Sequence, residues 1–106
     1  MFVAMNRITV NEEYLEKFEY MFKTRAGEVD QEKGFIEAKI LRPKKEGLPY
    51  IVMTYWESED DFNQWVESGA YMKGHSRAFG DMEKARLEGN KMPMHSAVET
   101  YEVFAQ

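Results

Sequence analysis

The chain has 106 residues, 43% hydrophobic and 14% aromatic, with a net charge of −5 and no cysteine. That length suits one small core, a single domain over 1–106, and the missing cysteine excludes disulfides and thiolate metal sites. Arg42, Lys44 and Lys45 are followed at once by Glu46, so no basic face suits nucleic acid, and no apolar run approaches the ~20 residues of a membrane span.

Residues 2–10 (FVAMNRITV) are rich in β-formers and predict a strand. Asn11 offers a helix cap, with Glu12 and Glu13 where the helix dipole favours negative charge. Tyr14, Phe18, Met21, Phe22 and Arg25 recur at offsets of 4, 7, 8 and 11, one face of an amphipathic helix ending near Gly27. Residues 35–42 and 50–57 read as two strands joined by a turn that holds Pro43, Gly47 and Pro49. Ser58 with Asp61 resembles a capping box, opening a helix whose Phe62, Trp65 and Val66 share a face and which Gly69 should stop. A short second helix is expected over 70–79. Gly80, Gly89, Asn90 and Pro93 stand amid charges and predict a long loop over 80–96, before a last strand over 97–105.

Strand, helix, strand, strand, helix, strand is the split βαβ order of an α+β ferredoxin-like fold, with helices on one side of an antiparallel sheet. The strand 50–57 is apolar on both faces, since Tyr50, Val52 and Trp56 alternate with Ile51, Met53 and Tyr55. One set can lie under the helices. The other must meet an apolar partner, most economically a second copy, so a homodimer closing into a β-barrel is expected.

With no cysteine, any metal or acid–base role falls first on His75 and His95. His75 has Tyr71 four residues before it and Phe79 four after, so it projects from an aromatic helix face, beside Gly74. It is either a packed histidine with a hydrogen bond or a ligand. His95 follows Pro93 and should be solvated. Asn6 interrupts an apolar strand and shares a face with Phe2, Ala4 and Ile8; a buried amide there needs backbone, water or ligand as partner. Trp65 shares a helix face with Phe62 and Val66, where a Trp is more often simple core. No phosphate loop, H-E-x-x-H or nucleophile elbow is present, so hydrolase and nucleotide-dependent chemistry has no support.

Taken together, Asn6 to Thr9 (NRIT), Phe22 to Gly27 (FKTRAG), Lys33 to Phe35 (KGF), Thr54 to Ser58 (TYWES), Phe62 to Val66 (FNQWV) and His75 ten residues after Trp65 carry a resemblance. The chain resembles the IsdG-like haem-degrading monooxygenases of the antibiotic-biosynthesis-monooxygenase, or dimeric α+β barrel, superfamily. The resemblance implies a catalytic triad of Asn6, Trp65 and His75, with His75 as the iron ligand, Asn6 as the distal polar group and Trp65 pressing on a porphyrin edge. Haem would be both substrate and cofactor, opened with O2 and an external electron donor delivered by an unidentified reductase. Phe22 matches a haem-contacting aromatic, and Phe62, Tyr71 and Phe79 are pocket candidates. A cytoplasmic setting is expected. The alternatives are a haem-binding or stress module without turnover and a cofactor-independent quinol-type monooxygenase, in which His75 would act as a base.

Overall fold

The computed structural model describes residues 1–25 and 27–106. Its elements are β1 (Phe2–Val10), a 3-10 turn (Glu12–Tyr14), α1 (Leu15–Lys23), a second 3-10 turn (Glu28–Gln31), β2 (Phe35–Leu41), β3 (Tyr50–Trp56), α2 (Glu59–Val66), α3 (Gly69–Leu87) and β4 (Met94–Glu102). The strands form one sheet in the order β2-β3-β1-β4, and every pairing is antiparallel. This is the α+β split βαβ plan that the order of sequence patterns predicted. Among the described residues no helix is long and apolar enough to cross a membrane.

Period-2 alternation sorts the strands into two faces. Ile8, Tyr50 and Met94 are buried against Phe18 and Met21 of α1 and form the core under the helices. Trp56 on the same face is fully buried, and its indole N–H donates to Thr54 Oγ1 at 2.9 Å. On the opposite face Met5 pairs with Met53, and Val3 with Tyr55 and Tyr101. Charge borders this apolar centre: Arg7 pairs with Glu99, and Lys39 with Glu37. β2 carries a bulge between Phe35 and Glu37, which leaves Ile36 exposed and returns Ala38 and Ile40 to the helix side. Strand patterning in the sequence did not signal it.

Several boundaries differ from the sequence expectation, each for an identifiable reason. Asn11 does not cap the first helix with its side chain. Its Nδ2 donates to Met92 O at 2.5 Å and its backbone N–H to Pro93 O at 2.9 Å, so it ties the entry of β4 to the end of β1. α1 ends at Lys23, and Gly27, at φ 76°, opens the second 3-10 turn. Gly69 does not stop a helix. Ser68 caps α3 instead, its hydroxyl accepting from Tyr71 N at 3.2 Å, so Gly69 is the first helical residue. The capping residue Ser58 performs as expected, accepting from Asp61 N.

The largest difference is the length of α3, which runs to Leu87 where a loop was expected from residue 80. An interior glycine costs about 1 kcal/mol relative to alanine, and tertiary contacts around Gly80 outweigh that. Ala78 and Met82 pack on the core. Tyr14 donates to Asp81 Oδ2 at 2.6 Å, and Lys17 pairs with the same carboxylate at 2.8 Å. The helix closes where Gly89 adopts φ 69° and Asn90 N reaches Ala85 O at 2.9 Å, the wrapped C-terminus that glycine permits. β4 consequently starts at Met94 rather than 97, and His95 lies on a strand, exposed and paired with Thr9.

One polar cluster fastens α1 to the β2–β3 hairpin. Arg42 donates to both Glu19 oxygens, at 2.9 and 2.5 Å, and the Tyr50 hydroxyl donates to Glu19 Oε2. The hydrogen bonds from Arg42 first, and from Tyr50 second, lower the Glu19 carboxyl from 4.5 to about 2. A depressed carboxyl stabilises the fold above its unfolded value, and that contribution disappears as pH falls from 4.5 to about 2. Melting wild type beside Glu19→Gln across that range should show wild type the more stable at pH 6, with the gap closing by pH 2. A gap independent of pH would exclude the ionised carboxylate as its source.

Candidate functional site

A cavity of about 240 Å3 lies between the helix-side face of the sheet and α1, α2 and α3. Each element reaches it for a reason visible in its pattern. β1 contributes Asn6 between the buried Ala4 and Ile8, by strict alternation. α2 contributes Trp65, and α3 contributes Tyr71, His75 and Phe79, three residues four apart on one helix face. α1 contributes Phe22, whose ring meets Phe18 edge-on at 5.0 Å.

The rings form a continuous run. His75 stacks on Tyr71 with centroids 4.1 Å apart and on Phe79 at 5.5 Å. Tyr71 meets Trp65 edge-on at 4.9 Å, and Trp65 packs on Trp56 at 5.4 Å. Side chains held between rings in this way keep their rotamers, so the imidazole direction is fixed before any ligand arrives.

Polar atoms in this wall are incompletely satisfied. His75 Nδ1 lies 2.8 Å from Tyr71 O. A carbonyl oxygen only accepts, so Nδ1 carries the hydrogen and Nε2 keeps its lone pair, the tautomer suited to binding a metal. Asn6 Oδ1 and Trp65 Nε1 are both buried without a hydrogen-bond partner. Each such atom costs about 1–3 kcal/mol when buried unpaired. A Cβ placed on Gly74, another cavity residue, would meet no atom within 4 Å, so glycine there leaves open space beside His75.

Six residues singled out from sequence, Asn6, Phe22, Trp65, Tyr71, His75 and Phe79, thus meet at one cavity. Phe62 is not among its lining residues. It packs instead on Phe2 at 5.4 Å and Trp56 at 5.9 Å, as expected for an apolar residue on the sheet-facing side of α2. His95 also stands apart, on the opposite side of β4 from the lining residues Met94, Ser96 and Val98.

Sequence reasoning missed two arginines on the cavity wall, Arg25 as a wall residue and Arg77 altogether. Arg77 donates to Met21 O and to Thr24 Oγ1, both at 2.8 Å, and so ties α3 to the C-terminal end of α1. Such a contact spans 53 and 56 residues of chain and leaves no local pattern to find. Among the described residues no carboxylate lines the cavity, although the chain carries a net charge of −5. The site therefore suits a largely apolar ligand that bears negative charge.

Comparison with known proteins gives the following. The family model described as antibiotic biosynthesis monooxygenase matches residues 1–77. The chain is 35% identical over 77 residues to a haem oxygenase (staphylobilin-producing) of Staphylococcus haemolyticus, covering 71% of this chain and 73% of that one. Among solved structures it is similar to the haem-degrader MhuD from Mycobacterium tuberculosis with two haems bound in its active site. The TM-score is 0.74 at 27% identity, covering 100% of this chain and 98% of that one. SnoaB, a cofactor-independent oxygenase from Streptomyces nogalater, superposes with a TM-score of 0.71 at 17% identity, over 99% of this chain and 94% of that one, a likeness of fold alone.

Proposed function

The chain belongs to the antibiotic biosynthesis monooxygenase family, and on that premise we propose that it is a haem-degrading monooxygenase, opening the ring with O2 and electrons from a separate reductase and releasing iron and a linear tetrapyrrole. One observation carries this reading. Asn6, Trp65 and His75 come from three different elements yet line one apolar cavity, with the Nε2 lone pair of His75 uncommitted.

The residues present fit haem on their own chemistry. Neutral imidazole is a suitable ligand for haem iron, and His75 is the one histidine among the described lining residues. The apolar wall suits a macrocycle, and Gly74 leaves room for a flat ring close to the helix. The arginines of the wall suit anionic edge groups.

Bound haem supplies a redox-active iron and the ring that is cleaved. Protein side chains do the rest. His75 would hold the iron through Nε2, with the Tyr71 carbonyl, at 2.8 Å from Nδ1, fixing the tautomer. Asn6, on β1 and lining the same cavity, is a neutral polar group that could hydrogen-bond to a bound ligand without delivering a proton as an acid would. Trp65 is rigid, backed by Trp56, and so can press on one ring edge rather than yield to it. Phe22, Tyr71 and Phe79 supply apolar contact and limit access of bulk water.

Hemin titration tests this reading. A Soret band that shifts to a histidine-ligated form and saturates at a stoichiometric ratio is expected, whereas a cofactor-independent quinol oxygenase would show no saturable Soret change.

The bare sheet face supports a homodimer closing into a barrel. Its centre, Met5, Ile51, Met53 and Tyr55, is only half-buried, and its rim carries the Arg7–Glu99 pair, the arrangement of an apolar interface core with a polar border. Light scattering at micromolar concentration should return twice the chain mass of 12.5 kDa. A soluble monomer would leave this face without its partner. Met53→Lys should dissociate the dimer by placing an unpaired charge in the seam.

A further inference from the structure

The direction of the His75 ring is set by the helix that carries it. Nδ1 is bonded to Tyr71 O of the same helix at 2.8 Å, and the ring stacks between Tyr71 and Phe79, also of α3, with centroids at 4.1 and 5.5 Å. The imidazole is therefore rigid with α3, and Nε2 points where the roll of that helix about its axis directs it. Apolar packing holds this roll weakly. No residue of α3 is buried, and its contribution to the core is the half-buried Ala78 and Met82, contacts that carry no directional preference.

Two polar clasps supply the direction. Arg77 donates from Nη2 to Met21 O and from Nη1 to Thr24 Oγ1, both at 2.8 Å, and Thr24 donates in turn to Tyr20 O at 2.8 Å, so the guanidinium grips the C-terminal turn of α1. One turn further along α3, Asp81 accepts from the Tyr14 hydroxyl at 2.6 Å and pairs with Lys17 at 2.8 Å, at the N-terminal end of α1. At about 100° per residue, Arg77 and Asp81 stand about 200° and 240° round the axis from His75, on one flank of the helix. Two directional contacts on one flank, a turn apart, fix both the roll of α3 and its slide along α1.

We propose that Arg77 and Asp81 are positioning residues for His75, setting the rotation of α3 and with it the aim of Nε2 into the cavity. The claim about α3 concerns the free chain, and its chemical use, the aim of an iron ligand, rests on the haem-degrading reading. Tyr14 and Asp81 do not line the cavity, so a substitution at either reaches a cavity ligand only through the helix.

Two measurements on the full chain test this. In ligand-free protein, amide residual dipolar couplings report how α3 lies relative to the sheet. We expect Asp81→Ala, and more so Asp81→Ala combined with Arg77→Ala, to change the couplings over 69–87 while those of β1 and β3 stay as in wild type. Tyr14→Phe, which removes one hydrogen bond from Asp81 and keeps the ring, should give the same change in smaller degree and serves where the double variant does not fold. In the ferrous hemin complex, the iron–histidine stretch in resonance Raman should shift or broaden in these variants, and Asp81→Asn, which keeps an acceptor for Tyr14, should restore part of the wild-type band. Arg42→Ala breaks the separate clasp on Glu19 between α1 and the hairpin, so it should melt lower than wild type with both readouts unmoved. Unchanged α3 couplings in the variants would overturn the proposal whatever their melting temperatures. Changed couplings with an unmoved iron–histidine band would overturn the positioning of His75 and leave the haem reading standing. A wild-type complex without that band would overturn the ligand reading and, with it, the chemical use of the clasps.

Discussion

Replacing His75 by alanine should reduce haem turnover to background and lower haem affinity by at least about tenfold, equivalent to 1.4 kcal/mol. The expectation follows from position. His75 is the cavity's histidine, its Nδ1 is engaged with Tyr71 O, and its Nε2 remains available. His95 is exposed on the other face of β4, so no rotamer brings it to the cavity. The imidazole also stacks on Tyr71 and Phe79, so truncation should cost the fold about 1–2 kcal/mol through lost packing. That loss is too small to unfold a typical domain. Hemin titration and Soret decay of His75→Ala, run beside His95→Ala, check this. Loss of the Soret shift in His95→Ala instead would reassign the ligand.

Asn6→Ala should separate binding from chemistry. On the proposed reading, haem affinity should come mainly from burial of the macrocycle and a bond from His75, and the amide should contribute to neither. Binding should therefore stay within roughly tenfold of wild type. The rate should fall far more if the Asn6 amide acts on the reaction and not on binding, as proposed. The fold should tolerate the change, since Asn6 Oδ1 has no partner to lose. Wild-type turnover in this variant would remove Asn6 from the mechanism. Complete loss of haem binding would make it a structural residue of β1.

The fold is most legible in the sequence where one hydrophobic period dominates. β1 and the β2–β3 hairpin appear within a residue of their predicted ends because alternation and the Pro43–Pro49 turn leave little choice. α3 was underestimated because Gly80 and a dense run of charge look like a loop locally. Its helicity depends on Asp81 meeting Tyr14 and on Met82 meeting the core, contacts that distant residues supply. Within the cavity, residues four apart on α3 could be grouped from spacing alone. Joining them to Asn6 and Trp65 required the resemblance, and the cavity contains all three. Phe62 carried the same helical signal as Trp65, yet it turns toward Phe2. Hydrophobic spacing identifies a helix face without saying which end of that face borders a cavity.

The most direct test is aerobic incubation of the hemin complex with an external reductant, followed by mass spectrometry of the tetrapyrrole and a colorimetric iron chelator. The account predicts decay of the Soret band, a linear oxygenated tetrapyrrole and one equivalent of iron released per haem consumed. A Soret band that persists under reductant and O2, with intact haem recovered, would contradict it and leave a haem-binding module without turnover.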